Sequence, residues 1–145
     1  MHYMWADTLE NAERIFLLRF VLWAVAGMLA GTALLAWLRV TGRASRLLTH
    51  FGAQCFAWGL FELILALILL ARLAPRDLAS ATRLDRLLWF TIGLDGGYVL
   101  AGACLAVIGW RLDRRLGLVG AGLAVIMQGL GLALLDLLLA AQISR

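Results

Sequence analysis

Four ionisable residues stand inside otherwise apolar stretches of this sequence: Arg19, Glu62, Asp95 and Asp136. A charge at the centre of a bilayer costs about 2.5 to 3.5 kcal/mol even on the lenient insertion scales, so such residues pair, line a polar path or hold a substrate. Three carboxyls with one arginine nearby cannot all ionise in low dielectric. The nearest pairs with the guanidinium, and at least one other stands as a neutral acid able to donate a hydrogen bond. Asp136 is the expected partner of Arg19. The chemistry this set supports is proton relay or substrate binding, and its structural counterpart is hydrogen bonding that fixes which helices pack. Tyr98 and Gln128 complete the candidate polar cluster. Thr91, Asp95, Tyr98 and Gly102 follow spacings of four, three and four, which puts them on one stripe of a helix that turns inward. Gln128 and Asp136 are eight residues apart, as are Gln54 and Glu62, so each pair lies about 80° apart around its helix and faces one interior.

The elements that position these groups follow from composition. Of 145 residues, 63% are hydrophobic and 15% charged, with a mean hydropathy of +0.91. That surface is too apolar for a water-soluble domain and too poor in charge for a disordered one. Four apolar windows each meet the requirement of about 20 residues for a spanning helix: 15–38, 51–73, 87–110 and 116–143. They predict an all-α transmembrane four-helix bundle in a single domain. The single proline, Pro75, falls between the second and third windows, so no span carries a proline kink. Residues 1–14 form a polar interfacial segment in which Asp7 and Glu10 have the spacing of a capping box, with Tyr3, Met4 and Trp5 at the interface. The flank is not basic and the first span is too long for a signal peptide, so it is expected to remain as helix one. Counting from the face shared by the termini at about 1.5 Å per residue, Arg19 lies roughly 6 Å deep and the three carboxyls roughly 10 to 16 Å deep. All four therefore share one half of the bilayer, while Gln54 and Gln128 fall in the other.

Trp37 and Trp110 end spans one and three, next to Arg39 and Arg111, and Trp89 opens span three at the opposite face. These five are expected as lipid and interface anchors. The formal charge of +4 comes from 13 arginines and no lysine, scattered through short connections. No continuous basic stripe forms, so lipid phosphate is expected in place of nucleic acid. Seven arginines on one side against six on the other barely orient the chain. The Arg-containing second connection favours termini inside a bacterial cytoplasmic membrane. Cys55 and Cys104 sit in apolar runs and read as packing residues. The two histidines, His2 and His50, lie outside the spans, and no phosphate loop, metal set or nucleophile with a base is present. Neither an enzyme nor a cofactor is expected; a bound lipid fits the composition.

Gly27 and Gly31, and Gly93 and Gly97, repeat the small-residue spacing that lets helices approach closely in lipid, with packing inside one bundle its simplest use. The chain also reads as two tandem hairpins: Leu29 to Gly31 matches Leu100 to Gly102, and Gln54 with Glu62 matches Gln128 with Asp136, at offsets of 71 to 74 residues. A two-span repeat keeps its direction, which relates the copies by an axis along the membrane normal.

Asp95-Gly96-Gly97-Tyr98, Gly102, Gln128-Gly129 and Asp136, with Gln54 and Trp58 upstream, resemble the pattern of an uncharacterised bacterial family of small four-span integral membrane proteins, from Arg19 onward. The resemblance implies a four-helix bundle with no assigned activity, substrate or cofactor. Two functions remain open. One is a non-catalytic accessory subunit of a larger membrane complex, or a homo-oligomer; the other is a small proton-coupled transporter or carrier that uses the buried carboxyls.

Overall fold

The computed structural model describes residues 2–143, with side chains described from residue 6, so Tyr3, Met4 and Trp5 at the expected interface lie outside the described side chains. Four α-helices follow in chain order: α1 (His2–Thr41), α2 (Arg46–Ala71), α3 (Leu78–Arg111) and α4 (Leu116–Ile143). Each is long and apolar enough to cross a membrane. Leu22, Leu29, Phe90, Leu100 and Leu130 stand exposed around the outside, a surface that suits hydrocarbon and not water.

α1, α2 and α3 begin before their apolar windows because the membrane face ends the hydropathy and not the hydrogen-bond ladder, whereas α4 coincides with its window. Residues 6–14 are mostly good helix formers, and Arg14 pairs with Glu10 one turn away at 2.9 Å. The polar segment is therefore the opening of one continuous α1, and Asp7 lies within the helix instead of capping it. Pro75 and its restriction on Ala74 stop α2 at Ala71, two residues short of the expected end. Asp77 then caps α3, accepting the Ser80 amide at 2.8 Å, so α3 starts well before Leu87. Ser45 caps α2 in the same manner, accepting the Leu48 amide. At the two short turns, Arg43 lies 5.0 Å from the centre of the Trp37 ring and Arg114 lies 5.1 Å from that of Trp110.

The bundle is unequal. α1 packs on α2, α3 on α4, and α2 and α1 both meet α4, but among the described residues α3 makes no close backbone approach to α1 or α2. Glycine sets the tight contacts. A methyl group on Gly31 would come within 2.5 Å of the Gly52 carbonyl, and one on Gly122 within 2.5 Å of the Gly102 carbonyl. Gly27 and Gly31 thus face α2, as internal packing requires. Gly93 and Gly97 do not: like Gly96, they have open space where a Cβ would stand, on the outer face of α3.

The contacts of the first hairpin recur in the second. Gly59 lies against the backbone of Ala24 and Met28, and Gly129 lies against that of Asp95 and Val99. Gly31 meets Gly52 and Phe56, and Gly102 meets Gly122 and Ile126. This register matches Gly52 with Gly122 and Gly59 with Gly129. It sets Gln54 and Gln128, and Glu62 and Asp136, about one helical turn out of correspondence. The pairing of those polar residues in the sequence followed side-chain type, whereas packing follows the glycines.

Candidate functional site

α2 and α4 meet closely near the α1–α2 and α3–α4 turns, where Gly120 takes the Leu47 backbone and Gly117 the His50 ring. Toward the termini all four helices part around a cavity of about 350 Å³. Its inner end is crossed by Trp58 of α2 and Tyr98 of α3, edge to face with ring centroids 5.3 Å apart. Phe61 and Leu65 of α2 and Leu87 and Leu94 of α3 border it and are exposed on the outer surface, so it opens sideways between these two helices. Its outer mouth carries Glu13, Arg72 and Arg76.

Glu62, Asp95 and Asp136 all border this cavity, from α2, α3 and α4, at relative exposures of 1%, 4% and 8%. Asp95 couples electrostatically to Glu62 on one side and to Asp136 on the other. Thr91, whose hydroxyl donates to the Leu88 carbonyl at 2.9 Å, stands beside Asp136. Both carboxylate oxygens of Glu62 and one of Asp95, like the amide nitrogen of Gln128, have no hydrogen-bond partner among the described residues. An orphaned carboxyl of this kind costs several kcal/mol in apolar surroundings unless it is protonated or takes a partner. No group of three acidic, histidine or cysteine side chains among the described residues is disposed to hold a metal ion. The acids border one space without forming a chelate.

The stripe Thr91, Asp95, Tyr98 and Gly102 faces inward, the first three onto the cavity and Gly102 onto α4. Arg19 does not join it. It is exposed on the outer face of α1 and takes part in neither ion pair among the described residues, so the expected Arg19 and Asp136 pair is not formed. The reason is angular: Leu9, Glu13, Leu17, Phe20 and Ala24 form the buried stripe of α1, and Arg19 lies about 100° away from Phe20. Gln128 is buried but lies outside the cavity lining. Its side-chain oxygen accepts the Trp23 indole N–H at 2.8 Å, which ties α4 to α1. Trp37, Arg39, Trp110 and Arg111 are exposed near helix ends, whereas Trp89, expected to open the third span, is exposed eleven residues into α3, which begins at Leu78.

Two groups at the mouth escaped the sequence reading. Arg76 donates two hydrogen bonds to the buried Glu13 carboxylate, at 2.5 and 2.9 Å, linking the α2–α3 connection to α1. Glu13 shares a helix face with Leu9, Leu17 and Phe20, a signal that was present in the spacing but masked by the polar character of residues 1–14.

A comparison with curated proteins and one with solved structures each return no match. Residues 19–137, a stretch that contains Glu62, Asp95, Asp136 and the Trp58 and Tyr98 pair, match a family of unknown function (DUF6992). The chain belongs to that family.

Proposed function

We propose that this membrane protein binds a small ligand within the bilayer and acts as a proton-coupled carrier. The observation that carries the reading is the set of buried carboxyls, two of them with unpartnered oxygens, on one laterally open cavity. Interhelical glue would leave at least one oxygen of Glu62 bonded to a neighbouring helix, as the Gln128 oxygen is bonded to Trp23 even though its amide nitrogen is unpartnered among the described residues. A carboxyl that is neutral when the site is free can release its proton to take a ligand, and regain it on release. The charged and titratable groups facing that exchange are Glu13 from α1, Glu62 from α2, Asp95 and Tyr98 from α3, and Asp136 from α4, with Arg72 and Arg76 from the α2–α3 connection. The attachment of α3 to α4 alone supplies a movable wall, and separation of Trp58 from Tyr98 would open the inner end.

The test is a pH-dependent flux assay in proteoliposomes. Glu62→Gln, Asp95→Asn and Asp136→Asn are expected to abolish flux while leaving the protein folded and monodisperse. Amide variants that alter only assembly or stability would refute the carrier. No enzymatic activity is proposed. A bacterial cytoplasmic membrane with both termini inside remains part of the reading, supported by the apolar helices and short Arg-bearing connections. So does the tandem-hairpin repeat, supported by the recurrence of the glycine contacts.

A second reading, an accessory subunit or homo-oligomer, is favoured by the open face of Gly93, Gly96 and Gly97 on α3. Close approach of another helix is what such a face permits. It predicts that a bulky Gly97→Leu substitution dissociates a complex recovered in mild detergent and leaves the chain folded.

A further inference from the structure

We infer that the cavity takes an amphiphilic organic cation, its charged head among Glu62, Asp95 and Asp136 and its apolar body along the α2–α3 opening; this rests on the cavity being a ligand site. The charge layout selects the sign. The inner part of the cavity carries three acids and, among the described residues, no basic side chain, because Arg19 faces outward and Arg72 and Arg76 stand at the mouth, the latter bound to Glu13. Glu62 is nearly completely buried with both oxygens unpartnered, so it has no protein donor to satisfy. A cationic head that brings N–H or polarised C–H groups satisfies it once ionised, whereas an anion meets no basic side chain among the described residues of the inner lining and is repelled by whichever acid ionises.

The walls select the kind of cation. A hard metal ion requires about six oxygen ligands in a closed shell, and the described acidic groups are not disposed to give one. An organic cation is stabilised by aromatic faces as well as by charge. Trp58 and Tyr98 at the inner end, with Phe61 beside Trp58 and Phe20 on the α1 wall, offer those faces. Leucines from all four helices line the remainder, and the sideways opening lets a hydrocarbon tail extend into lipid. At about 350 Å³ the space is of the size that admits a drug-like molecule.

The experiment uses the full chain in nanodiscs of zwitterionic lipid, with protein-free discs subtracted, and equilibrium dialysis of three probes: (4-phenylbutyl)trimethylammonium, its neutral analogue with a tert-butyl group in place of trimethylammonium, and 4-phenylbutanesulfonate. The cation is expected to bind saturably and at least about tenfold more tightly than the neutral analogue, a factor that corresponds to one well-placed charge. Glu62→Gln is expected to erase that preference, and Asp95→Asn to reduce it, each in a variant that keeps the elution volume and helical content of the parent. Because the cation and its neutral analogue are compared on the unmodified protein, the test survives a variant that fails to fold. Saturable binding in which the neutral analogue or the sulfonate equals the cation would overturn the cation assignment and keep the binding site. Absence of saturable binding by all three probes would overturn both.

Discussion

At the scale of single residues, Gly131 and Gly93 make opposite use of the same side chain. The ring of Trp23 occupies the space a Cβ on Gly131 would need, and that ring is the donor to Gln128. Gly131→Ala is expected to push Trp23 aside, break its hydrogen bond and destabilise the protein by about 1 to 3 kcal/mol. At Gly93 nothing lies within 4 Å of a Cβ, so Gly93→Ala is expected to be neutral or slightly stabilising through helix propensity. Unfolding midpoints in detergent, followed by tryptophan fluorescence, compare the two; equal midpoints would show that Trp23 yields at no cost. Residue chemistry was largely legible beforehand. Glu62, Asp95 and Asp136 are separated in sequence, yet alternating helix direction brings them to one depth, and depth follows from counting. Facing does not follow from counting alone. Arg19 is one position from Phe20, and only the stripe of Leu9, Glu13, Leu17 and Ala24 shows that this one position turns it out of the bundle.

At the scale of the helices, apolar runs located all four elements, but their ends obey caps and proline instead of hydropathy. Asp77 is the clearest case. The Ser80 hydroxyl, and after it the Ser80 amide, hydrogen-bond its carboxylate and hold its pKa below the usual value. A lowered folded-state pKa means that the cap contributes fully above the unfolded value near 3.9 and is lost as pH falls through the folded one. The first turn of α3 is therefore expected to fray in acid. Amide exchange at Ser80, normalised to intrinsic rates, is expected to lose protection as pH falls below the ordinary aspartate range, while Asp77→Asn, which keeps an acceptor, is expected to flatten that dependence. Protection that stays constant down to about pH 2 would deny the carboxylate this role. The register between hairpins was not legible, because leucine-rich helices match at many offsets and the contacts that fix the register come from backbone meeting backbone at Gly52, Gly59, Gly122 and Gly129.

At the scale of the molecule, the bond between Arg76 and Glu13 joins the first hairpin to the connection that leads into the second. Glu13 is buried and Arg76 about one-third exposed, so water moderates the interaction. Arg76→Ala is expected to cost about 1 to 2 kcal/mol, with Glu13→Gln recovering part of that loss. A double-mutant cycle by thermal unfolding measures the coupling, and a value near zero would make the pair incidental. This link also shapes the cavity, since it spans the mouth from the α1 side.

The uninterrupted run of α1 from His2 to Thr41 has a mechanical consequence. Forty residues at 1.5 Å each make a rod about 60 Å long, roughly twice the hydrocarbon thickness. A tilt of about 10° within the lipid would sweep a point about 30 Å beyond the pivot through about 5 Å. The polar opening of α1 would thus act as a lever, and Arg76 grips it at Glu13, about halfway along that arm.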